Sequence, residues 1–192
     1  GDTFNEIFSK AEERIIVATF ASNIHRIQQV INAAEKYGRK VTVSGRSMVN
    51  TINVAYELGY LKMQEGTLID INDMNKYKNN ELVILTTGSQ GETMSALSRM
   101  AFSEHRKIQL VPEDTIIVSA SPIPGNEKTV FKVINRLIEI GTKVIYESLA
   151  DVHVSGHACQ EELKLMHTLL KPKFFIPVHG EYRHLKRHAE LA

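Results

Sequence analysis

The chain has one cysteine, Cys159, so no disulfide can close within it, and the sequence suits a reducing compartment. No apolar run approaches the roughly 20 residues of a membrane span. The longest are of the type IIVATFA, residues 15–21. No basic-then-apolar leader opens the chain, and a cytoplasmic location with no membrane partner is expected. The sequence begins Gly-Asp-Thr rather than with Met, and reads as a piece of a longer protein. It has no excess of either charge, with 23 basic against 22 acidic side chains and a formal net charge of +1. That balance excludes a histone-like wrapper of nucleic acid but permits a local basic groove. Internal repeats, low-complexity tracts and linkers rich in Pro, Gly or Ser are absent.

What is present is 192 residues, 43% hydrophobic and 23% charged, the balance of an ordinary globular protein. At about 150 residues per domain this is one domain plus an appendage. Such a length buries a core without help from a metal or disulfide.

The apolar pattern alternates between two periods. The run Arg14–Phe20 is apolar on both faces, as a strand covered on both sides must be, and further strands are read at Lys40–Gly45, Leu82–Thr87, Thr115–Ser121 and Lys143–Glu147. A short candidate is Thr67–Asn72, and a last strand is read at Lys173–Gly180. Between them fall helical patterns. These are an opening stretch Asp2–Ala11, a helix capped by Ser22 or Asn23 and running to Tyr37, then Ser47–Leu58, Thr93–Ser103, Glu127–Ile140, Cys159–Leu170 and Tyr182–Leu191. Strand, loop and helix in repeated alternation predict an α/β fold, a three-layer Rossmann-like and mainly parallel sheet with helices on both faces. From Lys171 onward the composition turns basic, with five basic side chains against two acidic and three histidines besides.

In open parallel sheets ligands bind at the carboxyl ends of the strands. The turns there read ASN, SGRS, TGSQGE, SASPIPGNE, ADVHVSGH and HGEYRH. They offer backbone N–H groups, hydroxyls and cations with few carboxylates, and helix N-termini face the same rim. A phosphate-bearing ligand is the inference, although Gly, Ser and Asn also serve as plain helix caps. The glycine turn Thr86–Glu92 is neither a Walker loop nor a dinucleotide fingerprint. It is a tight turn or an anion nest. In HVSGHA, His153 and His157 flank Ser155 and Gly156 ahead of a helix, a grouping suited to holding a phosphoryl oxygen, moving a proton or binding a metal. His179 closes an apolar strand pattern, where a metal ligand is held rigidly, but one histidine cannot hold a zinc ion. Arg26, Arg46 and Arg99 stand in or just after the rim loops. Cys159 reads as a small buried or helix-start residue, and His25, His105, His167, His184 and His188 as surface or helix residues.

Taken together, VATFASNIHRIQQV, GRSM, TTGSQGE, SASPIPGNE, HVSGHA and PKFFIPVHGEYRHL resemble the ribonuclease J family, bacterial members of the β-CASP branch of the metallo-β-lactamase fold. The resemblance covers almost the whole chain. It implies a β-CASP domain over residues 1–156 and, over 157–192, a segment returning to a metallo-β-lactamase domain that is otherwise absent from this chain. It implies a metal-dependent ribonuclease, 5′–3′ exonuclease and endonuclease, acting in mRNA decay and rRNA processing. Two zinc ions would serve the full-length enzyme, with manganese as an option. RNA is the implied partner, beside a second copy or a paralogue in an oligomer and the proteins of an RNA-decay complex.

Residue by residue, the resemblance makes His157 the histidine that touches the scissile phosphate, with His153 and Ser155 lining the same pocket and Gly156 beside them. Gly88, Ser89, Gln90 and Gly91 would seat the 5′-terminal phosphate or nucleotide. His179 would be a metal ligand, the remaining ligands lying outside this chain. Two departures stand beside this. The signature H-x-H-x-D-H is absent, so no complete metal site and no activity of the fragment alone are expected. The turn after the second strand reads SGRSM where the family often has an acidic residue. Two other readings fit the residues, a non-catalytic RNA-binding or assembly module and a small-molecule phosphohydrolase on a Rossmann-like sheet.

Overall fold

The structure, a computed structural model, describes residues 2–120, 122–123, 125–146 and 158–192. The chain divides into two compact units, residues 1–153 and 154–192.

The first unit is built on five strands, β1 (Ile15–Ala18), β2 (Lys40–Ser44), β3 (Leu82–Thr86), β4 (Thr115–Val118) and β5 (Lys143–Ile145). They form one sheet in the order β2-β3-β1-β4-β5, and every pair is parallel. Ile15 stands opposite both Val83 and Thr115, which puts β1 at the centre. The helices are α1 (Asp2–Lys10), α2 (Ile24–Lys36), α3 (Arg46–Glu57), α4 (Ala96–Ala101) and α5 (Glu127–Ile140).

Two cores result. Ile15, Val17, Val83 and Leu85 pack with Phe4 and Phe8 of α1, Ile27, Val30 and Ile31 of α2, and Met48 and Ile52 of α3. Ile16, Ala18, Ile84, Ile116 and Val118 pack on the other face with Leu97 and Met100 of α4 and Val133 and Leu137 of α5. Alternate residues of one strand thus enter opposite cores, which is why the three central strands, β3, β1 and β4, are apolar almost without a break. This is the expected three-layer α/β architecture.

The connections explain which helix covers which face. That through α2 steps toward the β2 edge, and those through α4 and α5 step toward the β5 edge. A crossover of fixed hand must change face when it changes direction, and α2 accordingly lies on the opposite face from α4 and α5. The connection from β2 back to β3 carries α3 on the face of α2 and then passes to the other face. The expected strand Thr67–Asn72 is reduced to one parallel bridge, Leu68 opposite Val41, on the outer side of β2. It ends there because the Asp70 carboxylate accepts from the Asn72 N–H at 2.7 Å and starts a 3₁₀ helix, Ile71–Lys76. Ile71 and Met74 of that turn pack into the second core.

The second unit holds α6 (Gln160–Leu170) and α7 (Tyr182–Leu191). Lys171 turns the chain at φ 44°, and Phe175 then packs between two imidazoles, 4.5 Å from His167 and 4.8 Å from His188 between ring centres. The expected strand Lys173–Gly180 carries no ladder among the described residues. Its alternation survives, with Phe174, Ile176 and Val178 exposed and Phe175 turned to the helices. A strand exists only where a neighbour takes its backbone groups, and an apolar pattern does not supply that neighbour.

Candidate functional site

The carboxyl edge of the sheet is where β1 diverges from its neighbours. The helix after β1 lies on one face, while those after β3 and β4 lie on the other. The three central strands end there in hydroxyl residues, Thr86, Thr19 and Ser119, all buried. Backbone bonds tie these ends together, Thr19 N–H to Thr86 O at 3.2 Å and Ser119 N–H to Ala18 O at 2.8 Å. The Thr19 Oγ1 is buried with no hydrogen-bond partner among the described residues.

Above this edge runs the glycine turn. Gly88, Ser89, Gln90 and Gly91 are all buried. The Gln90 Oε1 accepts from the Ile123 N–H at 2.7 Å, so the side chain pins the turn to the β4–α5 loop. Gly91, at φ 70°, lies flat on the first turn of α5; a Cβ there would come within 2.7 Å of Thr129 C and Val130 N. At Gly88, with φ 111°, a Cβ would strike Ser95 Oγ and lie 2.9 Å from Leu97 Cβ. The two glycines are therefore set by backbone hand and by close packing. The caps next to them are also in use. Asn23 Oδ1 accepts from Arg26 N–H at 3.1 Å, and Ser95 Oγ from Ser98 N–H at 3.3 Å.

Of the three rim arginines, Arg46 is exposed. Arg26 is buried and has no carboxylate partner among the described residues. Its guanidinium donates to Gln29 Oε1 at 3.0 Å and lies 5.4 Å from the centre of the Phe4 ring, and burial lowers its pKa. Arg99 has a buried Nε with no partner among the described residues.

One residue that the sequence gave no reason to single out joins this region. His105 Nε2 lies 2.8 Å from Ser44 Oγ at the end of β2, and its Nδ1 accepts from the N–H groups of Lys107 (3.3 Å) and Ile108 (3.0 Å). An Nδ1 that accepts carries no proton, so Nε2 holds it and donates to Ser44. In that tautomer His105 cannot take the Ser44 proton, and the pair is a latch rather than a nucleophile with its base. Burial, then the charges of Arg99 and Lys107, push the His105 pKa below the ordinary histidine value. Sixty-one residues separate the partners, and no local motif announces them.

His179 sits at a sharp bend, with φ 72°, followed by Gly180 at φ 121°. The bend leaves His179 exposed just ahead of α7, whose His184 Nδ1 accepts from the Glu181 N–H at 3.1 Å. A left-handed histidine is uncommon, and such strain gathers at functional positions. Among the described residues no group of three or more His, Cys, Asp or Glu side chains is placed to hold a metal ion. His153, Ser155, Gly156 and His157 lie outside the described residues.

Comparison with known proteins bears on what this edge serves. The ribonuclease J β-CASP domain matches residues 12–137, and the Zn-dependent metallo-hydrolase RNA specificity domain matches 142–192. A protein named Ribonuclease J from Helicobacter pylori is 53% identical over 189 residues, which is 98% of this chain and 27% of that protein. Ribonuclease J from Thermus thermophilus is 52% identical over 180 residues, 94% of this chain and 31% of its own. Ribonuclease J2 from Bacillus subtilis is 46% identical over 182 residues, 95% and 33%. The chain thus spans about a third of the relatives it matches. With a matching β-CASP domain over two thirds of its length and relatives at this identity over nearly all of it, the chain belongs to the ribonuclease J family.

Proposed function

We propose that the protein to which this chain belongs is a metal-dependent ribonuclease that shortens RNA from its 5′ end and also cuts internally, and that this chain forms the RNA-gripping side of it. The observation that carries the reading is the glycine turn Gly88–Gly91. It is held rigidly by Gln90 and α5 at the carboxyl edge of the sheet, where the chain changes direction. In this reading the backbone of that turn seats the 5′-terminal phosphate, and the buried, unmatched charge of Arg26 favours an anion nearby. His157, with His153, Ser155 and Gly156, holds the scissile phosphate and stabilises its developing charge. His179 contributes one ligand to a metal centre, two zinc ions or manganese, completed by residues outside this chain. A bound metal supplies Lewis acidity at the scissile phosphate. The protein would work in the cytoplasm on mRNA decay and rRNA processing, as an oligomer of copies or paralogues and in contact with RNA-decay proteins.

The test uses the full-length protein on 5′-monophosphorylated RNA. His157→Ala lowers kcat by about 10²- to 10³-fold, the range for losing one group that stabilises developing charge, and His179→Ala lowers activity together with the amount of bound metal. Unchanged turnover in His157→Ala with weakened complex formation would instead favour an assembly module. Robust cleavage by the 192-residue chain alone would contradict the assignment of the metal centre to residues outside it.

A further inference from the structure

At the opposite, amino-terminal edge of the same sheet lies an open concavity of about 380 Å³. Its floor is apolar, made by Ile71, Met74 and Leu82, and its wall carries Asn72, Asn75, Tyr77, Asn79, Lys107 and Arg14. The 3₁₀ geometry of residues 71–76 produces this division, because residues three apart eclipse. Ile71 and Met74 fall on one side of the turn and Asn72 and Asn75 on another.

The wall has no acidic side chain. Arg14 is neutralised by a bidentate pair with Asp114, at 2.9 and 2.7 Å. Lys107 is different: its ammonium is held by the Asn72 Oδ1 at 2.6 Å, an amide with no charge to cancel it. The wall therefore favours an anion and is unsuited to a bare cation. The amides of Asn75 and Asn79 and the Tyr77 hydroxyl make no hydrogen bond among the described residues. Each asparagine offers a donor and an acceptor side by side, the pattern a nucleobase edge presents in return. The apolar floor and the Tyr77 ring suit the face of a base. A volume near 380 Å³ is at the small end of ligand pockets and admits one nucleotide.

From this we infer a second nucleotide-binding site, separate from the carboxyl edge, that takes a single nucleotide unit with its base against Met74, Tyr77, Asn75 and Asn79 and its phosphate toward Lys107. The inference stands on this cavity alone and does not depend on the proposed function.

The experiment uses the intact protein in excess chelator, so that RNA is bound but not cut. 8-Azidoadenosine 5′-monophosphate is the photoprobe. The expected result is labelling of a peptide within residues 71–82, with AMP competing at least tenfold better than inorganic phosphate. Lys107→Ala and Asn75→Ala each reduce labelling at least tenfold while the far-ultraviolet circular dichroism is unchanged. A short oligoribonucleotide that displaces the probe identifies the unit as part of RNA, and one that does not identifies a free mononucleotide; both support the site. Labelling confined to the carboxyl edge, no labelling, or inorganic phosphate competing as well as AMP overturns it. Because the peptide map is made on the unsubstituted protein, the result stands even where a variant fails to fold.

Discussion

At the scale of single residues, the buried polar groups decide more than their number suggests. Asp114 is fully buried, and besides holding Arg14 it accepts from the Val111 N–H at 2.9 Å. Arg14 also donates to the Gln109 carbonyl at 2.8 Å. Removing one partner strands the other charge in the interior. Asp114→Ala is therefore expected to destabilise the fold by about 3–5 kcal/mol, read as a lowered midpoint in urea denaturation. His105 gives a pH dependence of definite sign. Its pKa is lowered in the fold, so in acid the unfolded chain binds more protons at this site than the folded one. The stability contributed by neutral His105 is whole above about pH 6.5 and is lost as pH falls through the depressed folded value. Denaturation midpoints followed from pH 7.5 downward should fall below that point, and His105→Gln should flatten the dependence. An unchanged slope in that variant would show that other groups carry it.

At the scale of elements, patterns that speak for themselves locally were legible. The five strands of the sheet and the seven helices α1–α7 stand within a few residues of where apolar period and capping residues place them. Asn23 caps α2 as its position before the apolar stripe suggests. The exceptions are instructive. Thr67–Asn72 has the composition of a strand, but Asp70 and the edge position win over it. Lys173–Gly180 alternates correctly and still forms no ladder among the described residues, because pairing is a property of two segments. The glycine turn is an element in its own right, and Gly91→Ala tests it. The added methyl meets main-chain atoms of α5 at 2.7 Å, which cannot swing aside as a side chain can. Left-handed strain of about 1–2 kcal/mol and overlap of about 1–3 kcal/mol should together lower stability by about 2–5 kcal/mol. If the glycine turn binds the RNA terminus, the same variant loses affinity for 5′-monophosphorylated RNA at temperatures where it remains folded.

At the scale of the whole molecule, near-neutral charge conceals a local field. Helices α2, α3 and α5 begin at the carboxyl edge of the sheet, and Arg26 stands beside it without a carboxylate partner among the described residues. Binding of single-stranded RNA by the intact protein should weaken linearly in log–log coordinates with salt, by about 0.7 per phosphate gripped. Filter-binding or anisotropy titrations at several salt concentrations measure that slope. An affinity indifferent to salt would refute recognition through phosphate. No described helix is long and apolar enough to cross a membrane.

The sequence by itself determined the three-layer α/β class and the family. Each of these rests on short-range signals, apolar period, turn residues and contiguous motifs. Only the tertiary structure decided that Ser44 meets His105, that Gln90 is occupied in fastening its loop to Ile123, that Arg26 is buried without a carboxylate partner among the described residues, and that a cavity opens at the amino-terminal edge. Those facts depend on which distant segments share a neighbourhood, and burial and hydrogen-bond partners are settled there, not along the chain.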